Sequence, residues 1–263
     1  MARAVIRPYD TGVVTEAARN DEDAPVLDEA AALRVLAEGE LTIVGRLVDA
    51  SNATLFGHVE CDGVTLEAVY KPVRGERPLW DFPHGTLAGR ELATYLVSAA
   101  TPWAIVPPTV LRDGPFGPGM VQVWIDVDDE IDLGELVRRL EDPALRRIAL
   151  LDAVLNNADR KGGHLLPVAG GHVFGCDHGL TFSTDDKLRT VLWQWRGEPL
   201  AGDEAAVLTE LRADLDGPLG AALREHLRVK EVAAATARLD RLLTAGTFPF
   251  PGDDWPAVPW PPF

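Results

Sequence analysis

The sequence contains few of the residues that build a disulfide scaffold or a zinc site. Its two cysteines, Cys61 and Cys176, lie far apart in strand-like surroundings, and no C-x-x-C pair is present. Disulfide frameworks and structural zinc sites both need several cysteines or histidines at characteristic spacings. The composition therefore argues against both and predicts a reduced, cytoplasmic protein.

Long apolar runs are also missing. The first residues, M-A-R-A-V-I-R-P-Y-D, lack the apolar core of a signal peptide. No uninterrupted apolar run approaches the roughly 20 residues that span a bilayer. We therefore expect neither export nor a membrane anchor.

Basic side chains are scarce relative to acidic ones. The chain has 25 Lys and Arg against 41 Asp and Glu, and its formal net charge is −16. A surface of this sign repels the phosphates of nucleic acids and the headgroups of anionic lipids. We therefore expect no nucleic-acid partner and no stable membrane association.

The length of the chain suits one large domain or two lobes. It has 263 residues, and 46% of them are hydrophobic, which is enough for a sizeable buried core. Residues 1–40 are predicted to form an N-terminal arm followed by one amphipathic helix over 28–38.

The next part of the chain, residues 41–126, is predicted to be rich in antiparallel β-structure. Asp62-Gly63 is a strong two-residue hairpin signal between two of its strands. Thr86 is predicted to cap a single helix. The predicted elements are strands over 41–48, 54–61, 64–70, 105–111 and 120–125, and the helix over 86–100.

Residues 127–247 have a mainly helical pattern. Asp142 followed by Pro143 is a typical helix start. Residues 248–263 form a Pro/Trp-rich tail, whose Trp255 and Trp260 either pack on the body of the protein or serve a partner as a polyproline ligand. The predicted helices cover 133–140, 142–155, 204–215, 219–227 and 229–243.

The residues best suited to chemistry lie between positions 152 and 182. Asp159 and Asp177 occupy two short predicted turns, and His164 lies between them. Two carboxylates and a third ligand suit a divalent cation that carries nucleotide phosphates, because hard cations prefer oxygen ligands. Phosphoryl transfer is catalysed mostly by positioning and charge neutralisation, so this pattern predicts kinase chemistry if the chain also holds ATP.

Four segments resemble motifs of the phosphatidylinositol 3-/4-kinase superfamily and of HipA-type kinases. The stretch L-L-D-A-V-L-N-N-A-D-R-K-G-G-H-L-L is similar to their catalytic loop, and C-D-H-G-L-T-F at 176–182 resembles their D-N-G-L-x-F motif. A-V-Y-K-P at 68–72 resembles the strand that grips ATP, and R-E-L-A-T-Y-L at 90–96 resembles the helix with the paired glutamate. The chain is identified as a member of an actinobacterial family of proteins related to these kinases.

The resemblance implies an α+β, bilobal protein-kinase-like fold with an antiparallel β-rich N-lobe and a mainly α-helical C-lobe. It also implies ATP with Mg²⁺ or Mn²⁺ as cofactors. Asp159 would accept or orient the proton of the acceptor hydroxyl, with Asn157 and Arg160 beside it in the catalytic loop. The metal would be held by Asp177 and His164.

The remaining implied residues contact the nucleotide. Lys71 would grip the phosphates, and Glu91 would hold Lys71 in place. The expected phosphate loop contains no glycine, so its side chains would replace backbone contacts, while backbone groups at the hinge would bind adenine. The loop residues are Ser51, Asn52 and Thr54, and the hinge residues are Gln122, Val123 and Trp124.

His164 stands where the related kinases have asparagine. Imidazole suits manganese or zinc better than magnesium, so this residue bears on metal preference. Structural roles are the alternatives for several residues: a strand-end lysine for Lys71, a solvated carboxylate for Glu91 and a packed histidine for His164. Asp152 is interpreted as a buried structural carboxylate that accepts hydrogen bonds from the catalytic loop.

Three functional hypotheses follow. The first is an active phosphotransferase whose acceptor is a protein hydroxyl or a small molecule rather than a lipid, given the net charge. The second is a nucleotide-binding pseudokinase that regulates a protein partner. The third, a plain interaction protein, does not explain why four kinase-like motifs occur in order.

Overall fold

The structure is a computed structural model that describes residues 5–6, 26–47 and 52–263. The arm predicted at the N-terminus lies largely outside these residues. Its described part is strand β1 (Val5–Ile6), which pairs in parallel with β2 (Val26–Leu27). The rest of the described chain is α+β, as predicted.

The first helix, α1 (Glu29–Glu38), forms where the sequence predicts it. The Asp28 side chain accepts a hydrogen bond from the Ala31 amide at 2.8 Å and so caps the first turn. Buried Val35 and Leu36 pack against the sheet that follows. The helix therefore covers one face of the β-structure.

A five-stranded antiparallel sheet forms the centre of the N-terminal half. The turn between its second and third strands has positive φ at both Asp62 and Gly63, as a tight hairpin requires. The strands lie in the order β3-β4-β5-β7-β6 and comprise β3 (Glu40–Arg46), β4 (Leu55–Cys61), β5 (Val64–Pro72), β6 (Thr109–Gly114) and β7 (Gly117–Val123).

Strand β5 has one face in the core and one towards the rest of the protein. Leu66, Ala68 and Tyr70 are buried in the sheet's own hydrophobic core. Because successive side chains of a strand point to opposite faces, Val69 and Lys71 lie on the other side. This alternation places the predicted phosphate lysine on the face opposite that core.

The fourth predicted strand begins later than expected. Residues 105–108 read I-V-P-P and are not part of β6, which starts at Thr109. Proline lacks the amide donor that a ladder needs, so Pro107 and Pro108 delay the strand. Gly114 pairs with Gly117, which shortens the turn to Pro115 and Phe116.

The helix after the sheet's third strand is α2 (Leu87–Ala99), close to the predicted bounds. Thr86 occupies the N-cap position, but its hydroxyl donates to the Pro83 carbonyl instead of capping the helix. The cap is supplied from a distance, because Glu76 accepts a hydrogen bond from the Ala88 amide at 2.9 Å. The predicted side-chain cap is therefore wrong, although the helix start is right.

The second half is mainly helical, and its core is built around α4, which begins with Asp142 as cap and Pro143 in the first turn. The helix predicted over 133–140 is only four residues long. A short hairpin of β8 and β9 was not predicted. The elements are α3 (Leu133–Leu136), α4 (Pro143–Leu155), β8 (Leu165–Pro167), β9 (Val173–Gly175), α5 (Gly202–Leu215), α6 (Pro218–Leu223) and α7 (Val229–Ala245).

No helix in the described part of the chain has both the length and the apolarity to cross a bilayer. Both cysteines are free thiols. The boundaries proposed between the lobes and the tail stay predictions.

The tail over 248–263 has no helix or strand. Trp255 stacks on Trp80 with ring centroids 5.9 Å apart, so this tryptophan packs on the body of the protein, which is the first of the two alternatives. Trp260 is 86% exposed and does not.

Candidate active site

Three charged side chains from separate elements meet at the end of β5. The Lys71 Nζ lies 2.6 Å from Glu91 Oε1 on α2 and 2.9 Å from Asp177 Oδ1, on the turn after β9. Burial opposes the charge on Lys71, but the attraction of Asp177 and Glu91 outweighs it and raises the pKa of the ammonium. The lysine is therefore a fixed positive charge.

The turn that carries Asp177 is held in a left-handed conformation, with φ of 58° at this residue. The neighbouring Lys71 lowers the pKa of the Asp177 carboxyl, so it is ionised. The backbone amide of His178 donates to Glu91 Oε2 at 2.9 Å, which ties the turn to α2. Glu91 thus fixes both the lysine and the turn.

A buried ionic network underlies the predicted catalytic loop, which follows α4. Arg160 donates two hydrogen bonds to Asp152, each 2.9 Å long, and neither side chain is exposed. Asn157 also donates to Asp152, at 2.9 Å, and accepts from the Asp159 amide at 3.0 Å. Asn157 and Arg160, both anchored on Asp152, therefore fix the position of Asp159. Asp152 is the buried hydrogen-bond acceptor that the sequence analysis interpreted it to be.

The same arginine connects the catalytic loop to the Asp177 turn. It donates to the Cys176 carbonyl at 3.0 Å, and its Nη2 lies 2.6 Å from the Nε2 of buried His178. Burial lowers the pKa of His178 well below its usual value, so the ring is neutral and accepts from the guanidinium. His178 was not among the predicted site residues.

Asp159 itself remains accessible at the mouth of this network, with 24% of its side chain exposed. Partial burial raises the pKa of its carboxyl. Lys161 lies beside it, with Nζ 3.3 Å from Asp159 Oδ2. Lys161 was also not predicted; its signal in the sequence is the order D-R-K, which puts a lysine two residues after the aspartate.

His164 and Asp177 lie at the adjoining ends of the paired strands β8 and β9, where the Cys176 amide donates to the His164 carbonyl at 3.1 Å. The His164 Nε2 lies 3.4 Å from Asp177 Oδ2, the carboxylate oxygen that Lys71 leaves free. Burial lowers the pKa of His164, which favours the neutral ring that binds metals. The two side chains fit a shared cation, but no group of three such ligands forms a complete metal site among the described residues.

The predicted phosphate-loop residues are only partly placed. Ser51 lies outside the described residues. Asn52 accepts a hydrogen bond from the Arg77 amide at 2.9 Å, and Thr54 is buried. The side chain of Asn52 thus connects the described end of this segment to Arg77.

The predicted hinge residues lie at the end of β7 and are tied into the sheet. The amides of Val123 and Trp124 donate to the Pro108 and Glu67 carbonyls at 3.0 and 2.9 Å. Gln122 is buried, and its side chain donates to the Thr109 hydroxyl. Neither amide is therefore available to adenine.

Next to Trp124 is an open, mostly apolar depression of about 320 Å³. It lies between the first two strands of the five-stranded sheet and the segment after β7. Phe56 packs edge-on against Trp124 at its base, with ring centroids 5.1 Å apart. The depression is lined by Val44, Gly45, Arg46, Leu47, Phe56 and Trp124. Apart from Trp124, sequence reasoning missed these residues.

Comparison with known proteins finds a relative in sequence and many solved structures that are similar in fold. Protein Rv2133c of Mycobacterium tuberculosis strain H37Rv is 43% identical over 263 residues, covering 87% of this chain and 94% of the relative. No family model matches the chain.

The crystal structure of the Golgi casein kinase with Mn/ADP bound matches with a TM-score of 0.57 at 15% identity, covering 84% of this chain and 76% of that one. The Helicobacter pylori proinflammatory kinase CtkA matches with a TM-score of 0.44 at 10% identity, covering 81% and 94%. The first of these likenesses establishes the fold, which is bilobal and kinase-like, as the motifs predicted.

Proposed function

The chain belongs to the same family as Protein Rv2133c of Mycobacterium tuberculosis, and we propose that it is an ATP- and divalent-metal-dependent phosphotransferase. The observation that carries the proposal is the contact of Lys71 with both Glu91 and Asp177 in one cleft. We further propose that it is related to the phosphatidylinositol 3-/4-kinases and HipA-type kinases, on the strength of its motifs, and that it acts in the cytoplasm.

The charges of the side chains in the cleft are complementary to those of a nucleotide with a bound metal ion. The Lys71 ammonium, oriented by Glu91, would contact the phosphates. Asp177 and His164 would hold Mg²⁺ or Mn²⁺, whose remaining ligands would be phosphate oxygens and water. The bound cation would neutralise charge on the transferred phosphoryl group. Since the two protein ligands do not make a complete site alone, metal and nucleotide should bind together.

Adenine would occupy the apolar depression beside Trp124. Aromatic and aliphatic walls of this kind bury a flat ring, and a few backbone groups then orient it. Because the amides of Val123 and Trp124 are used within the sheet, the orienting backbone groups would come from the chain after Trp124.

Asp159 would orient the acceptor hydroxyl and accept its proton. Its carboxylate is accessible, and its backbone is fixed by Asn157. Lys161, next to it, would place a second positive charge near the transferred phosphoryl group. The presence of Lys71, Asp159 and Asp177 together favours an enzyme over a pseudokinase, and the acceptor is a protein hydroxyl or a small molecule rather than a lipid.

The first test is the replacement of Lys71, the residue proposed to contact the phosphates. ATP with a divalent metal should raise the melting temperature of the protein, because a ligand that binds only the native state stabilises it. At about 100 times Kd the gain is about 2.7 kcal/mol. Lys71→Ala should lose most of this gain, measured as the difference between melting with and without nucleotide.

The matched control is Lys230→Ala, since Lys230 is exposed near the start of α7, in the C-terminal half of the chain. It should keep the full nucleotide effect. Equal nucleotide shifts in wild-type protein and Lys71→Ala would contradict the assignment of Lys71 to the phosphates.

Replacement of His164, the candidate imidazole ligand, tests which metal the site prefers. His164→Asn should shift metal preference towards magnesium, because an amide oxygen replaces a nitrogen ligand. Nucleotide binding measured by calorimetry with magnesium, manganese and zinc in turn reports this preference. An unchanged order of the three metals would show that His164 is structural.

A further inference from the structure

The C-terminal tail reaches the catalytic loop. The Pro262 carbonyl accepts a hydrogen bond from the Gly162 amide at 2.8 Å. The Phe263 ring lies so close to Gly162 that a Cβ on this glycine would fall 2.1 Å from the ring. Gly162 is three residues beyond Asp159, so the tail contacts the loop that carries the candidate base.

A second contact lies five residues earlier in the tail. The Ala257 carbonyl accepts from the Thr190 amide at 3.0 Å and from the Trp193 indole at 2.7 Å. Trp255 packs over the buried ammonium of Lys187, 4.9 Å from the ring centroid. The tail is therefore held along its length as well as at its end.

The segment that the tail contacts runs beside the catalytic loop. The Arg160 amide donates to the Arg189 carbonyl at 3.0 Å, and the Val191 amide donates to the Arg160 carbonyl at 3.1 Å. On this segment the Thr190 amide points to the tail. Three backbone segments therefore run side by side: the catalytic loop, residues 189–191 and the tail.

We propose that residues 255–263 occupy the strip on which an extended polypeptide acceptor would bind, and that the docked protein phosphorylates a small hydroxyl compound. This inference rests on the proposed function. In one common mode of recognition, an extended peptide forms backbone hydrogen bonds to an exposed edge of the protein that binds it. The Gly162 and Thr190 amides are the donors of that edge, and both are paired with the tail.

The exposed part of the Asp159 carboxylate is compatible with a small acceptor. A compound that carries one hydroxyl needs access to this carboxylate and not to the strip. A polypeptide would need to pair with several backbone groups of the strip, and the tail already occupies those groups. The tail therefore determines the size of the acceptor.

Two adjacent glycines provide a matched pair of variants. Gly162→Ala places a methyl group in the space that the Phe263 ring occupies, and it should therefore displace the end of the tail. Gly163→Ala adds the same methyl group where no atom lies within 4 Å, and should change nothing. Phe263→Ala in the Gly162→Ala background removes the clash and should let Pro262 return to its hydrogen bond.

Displacement of the end of the tail is read by hydrogen exchange at the amide of residue 162, the donor to the Pro262 carbonyl, and its spread along the tail by exchange at the Thr190 amide; both should accelerate in Gly162→Ala. Transfer from radiolabelled ATP is measured to water and to a library of unstructured peptides containing serine and threonine. Peptide labelling should rise about tenfold in Gly162→Ala, the factor given by losing ~1.4 kcal/mol of tail contact. It should stay at the wild-type level in Gly163→Ala and fall back in the double variant.

The outcomes separate the two proposals. Faster exchange without a gain in peptide labelling, or unchanged exchange in Gly162→Ala, overturns the tail proposal and leaves the proposed function standing. Loss of hydrolysis in Gly162→Ala with nucleotide binding retained would mean that the tail completes the active site, which also overturns it. Metal-dependent ATP binding with no transfer or hydrolysis in any of the four proteins overturns the proposed function and the tail proposal with it.

Discussion

Asp159→Asn is expected to abolish phosphoryl transfer and to leave metal-dependent ATP binding unchanged. The amide cannot accept the proton of the acceptor hydroxyl, and loss of a general base typically costs about 10²–10⁴ in rate. The nucleotide is held elsewhere in the cleft, by Lys71 and Asp177. Radiolabelled ATP turnover, as autophosphorylation or slow hydrolysis, measures the first effect, and calorimetric titration measures the second.

Asp177→Asn is the contrasting variant within the same test. It removes a carboxylate contact to the cation at the point where the phosphate charge needs neutralising, so nucleotide binding itself should weaken. Equal loss of binding in the two variants would refute the separation of roles. A wild-type protein that binds metal ATP but shows no turnover above Asp159→Asn would be a pseudokinase.

Arg160→Met is expected to have the largest effect on stability. It leaves the buried Asp152 carboxylate with a single hydrogen bond from Asn157 and no positive partner. Removing one partner of a buried ion pair costs about 3–5 kcal/mol, because the remaining charge is uncompensated. Since this arginine also binds the Cys176 carbonyl, the Asp177 turn should loosen as well. Urea unfolding followed by circular dichroism measures the change in the free energy of unfolding.

The matched control is Arg212→Met, which removes a surface arginine, 27% of whose side chain is exposed, from its pairs with the exposed carboxylates of Asp216 and Asp240. Its unfolding curve should overlay that of the wild type, since exposed pairs contribute little. Changing both Arg160 and Asp152 to apolar residues should recover part of the loss, because no buried charge is then left unpaired. Similar unfolding curves for Arg160→Met and Arg212→Met would contradict the structural role of the network.

Local signals in the sequence were enough to predict several elements. Asp28 begins α1, Asp142 with Pro143 begins α4, and Asp62 with Gly63 forms the hairpin turn. Each of these features is decided by neighbouring residues, through a cap, a fixed φ or a tolerated positive φ. The pattern of such residues is visible in the chain without knowledge of its packing.

Residue type and order were also enough to propose a set of candidate site residues, whose chemistry stays a prediction. The motifs around Lys71, Glu91, Asp159 and Asp177 predicted which side chains would share a cleft. The structure brings the first two together with Asp177, and places Asp159 on the neighbouring loop. A wrong local expectation, the cap by Thr86, failed because Glu76 from another segment supplies the hydrogen bond.

The tertiary structure alone decided how the site is supported and covered. No local pattern in the sequence predicts the contact of His178 with Arg160. The same is true of the hydrogen bonds by which the hinge amides are used within the sheet. The tail against Gly162 joins residues about a hundred positions apart in sequence. Such contacts depend on how whole elements pack, and packing is set by the summed burial of many side chains rather than by any short stretch of sequence.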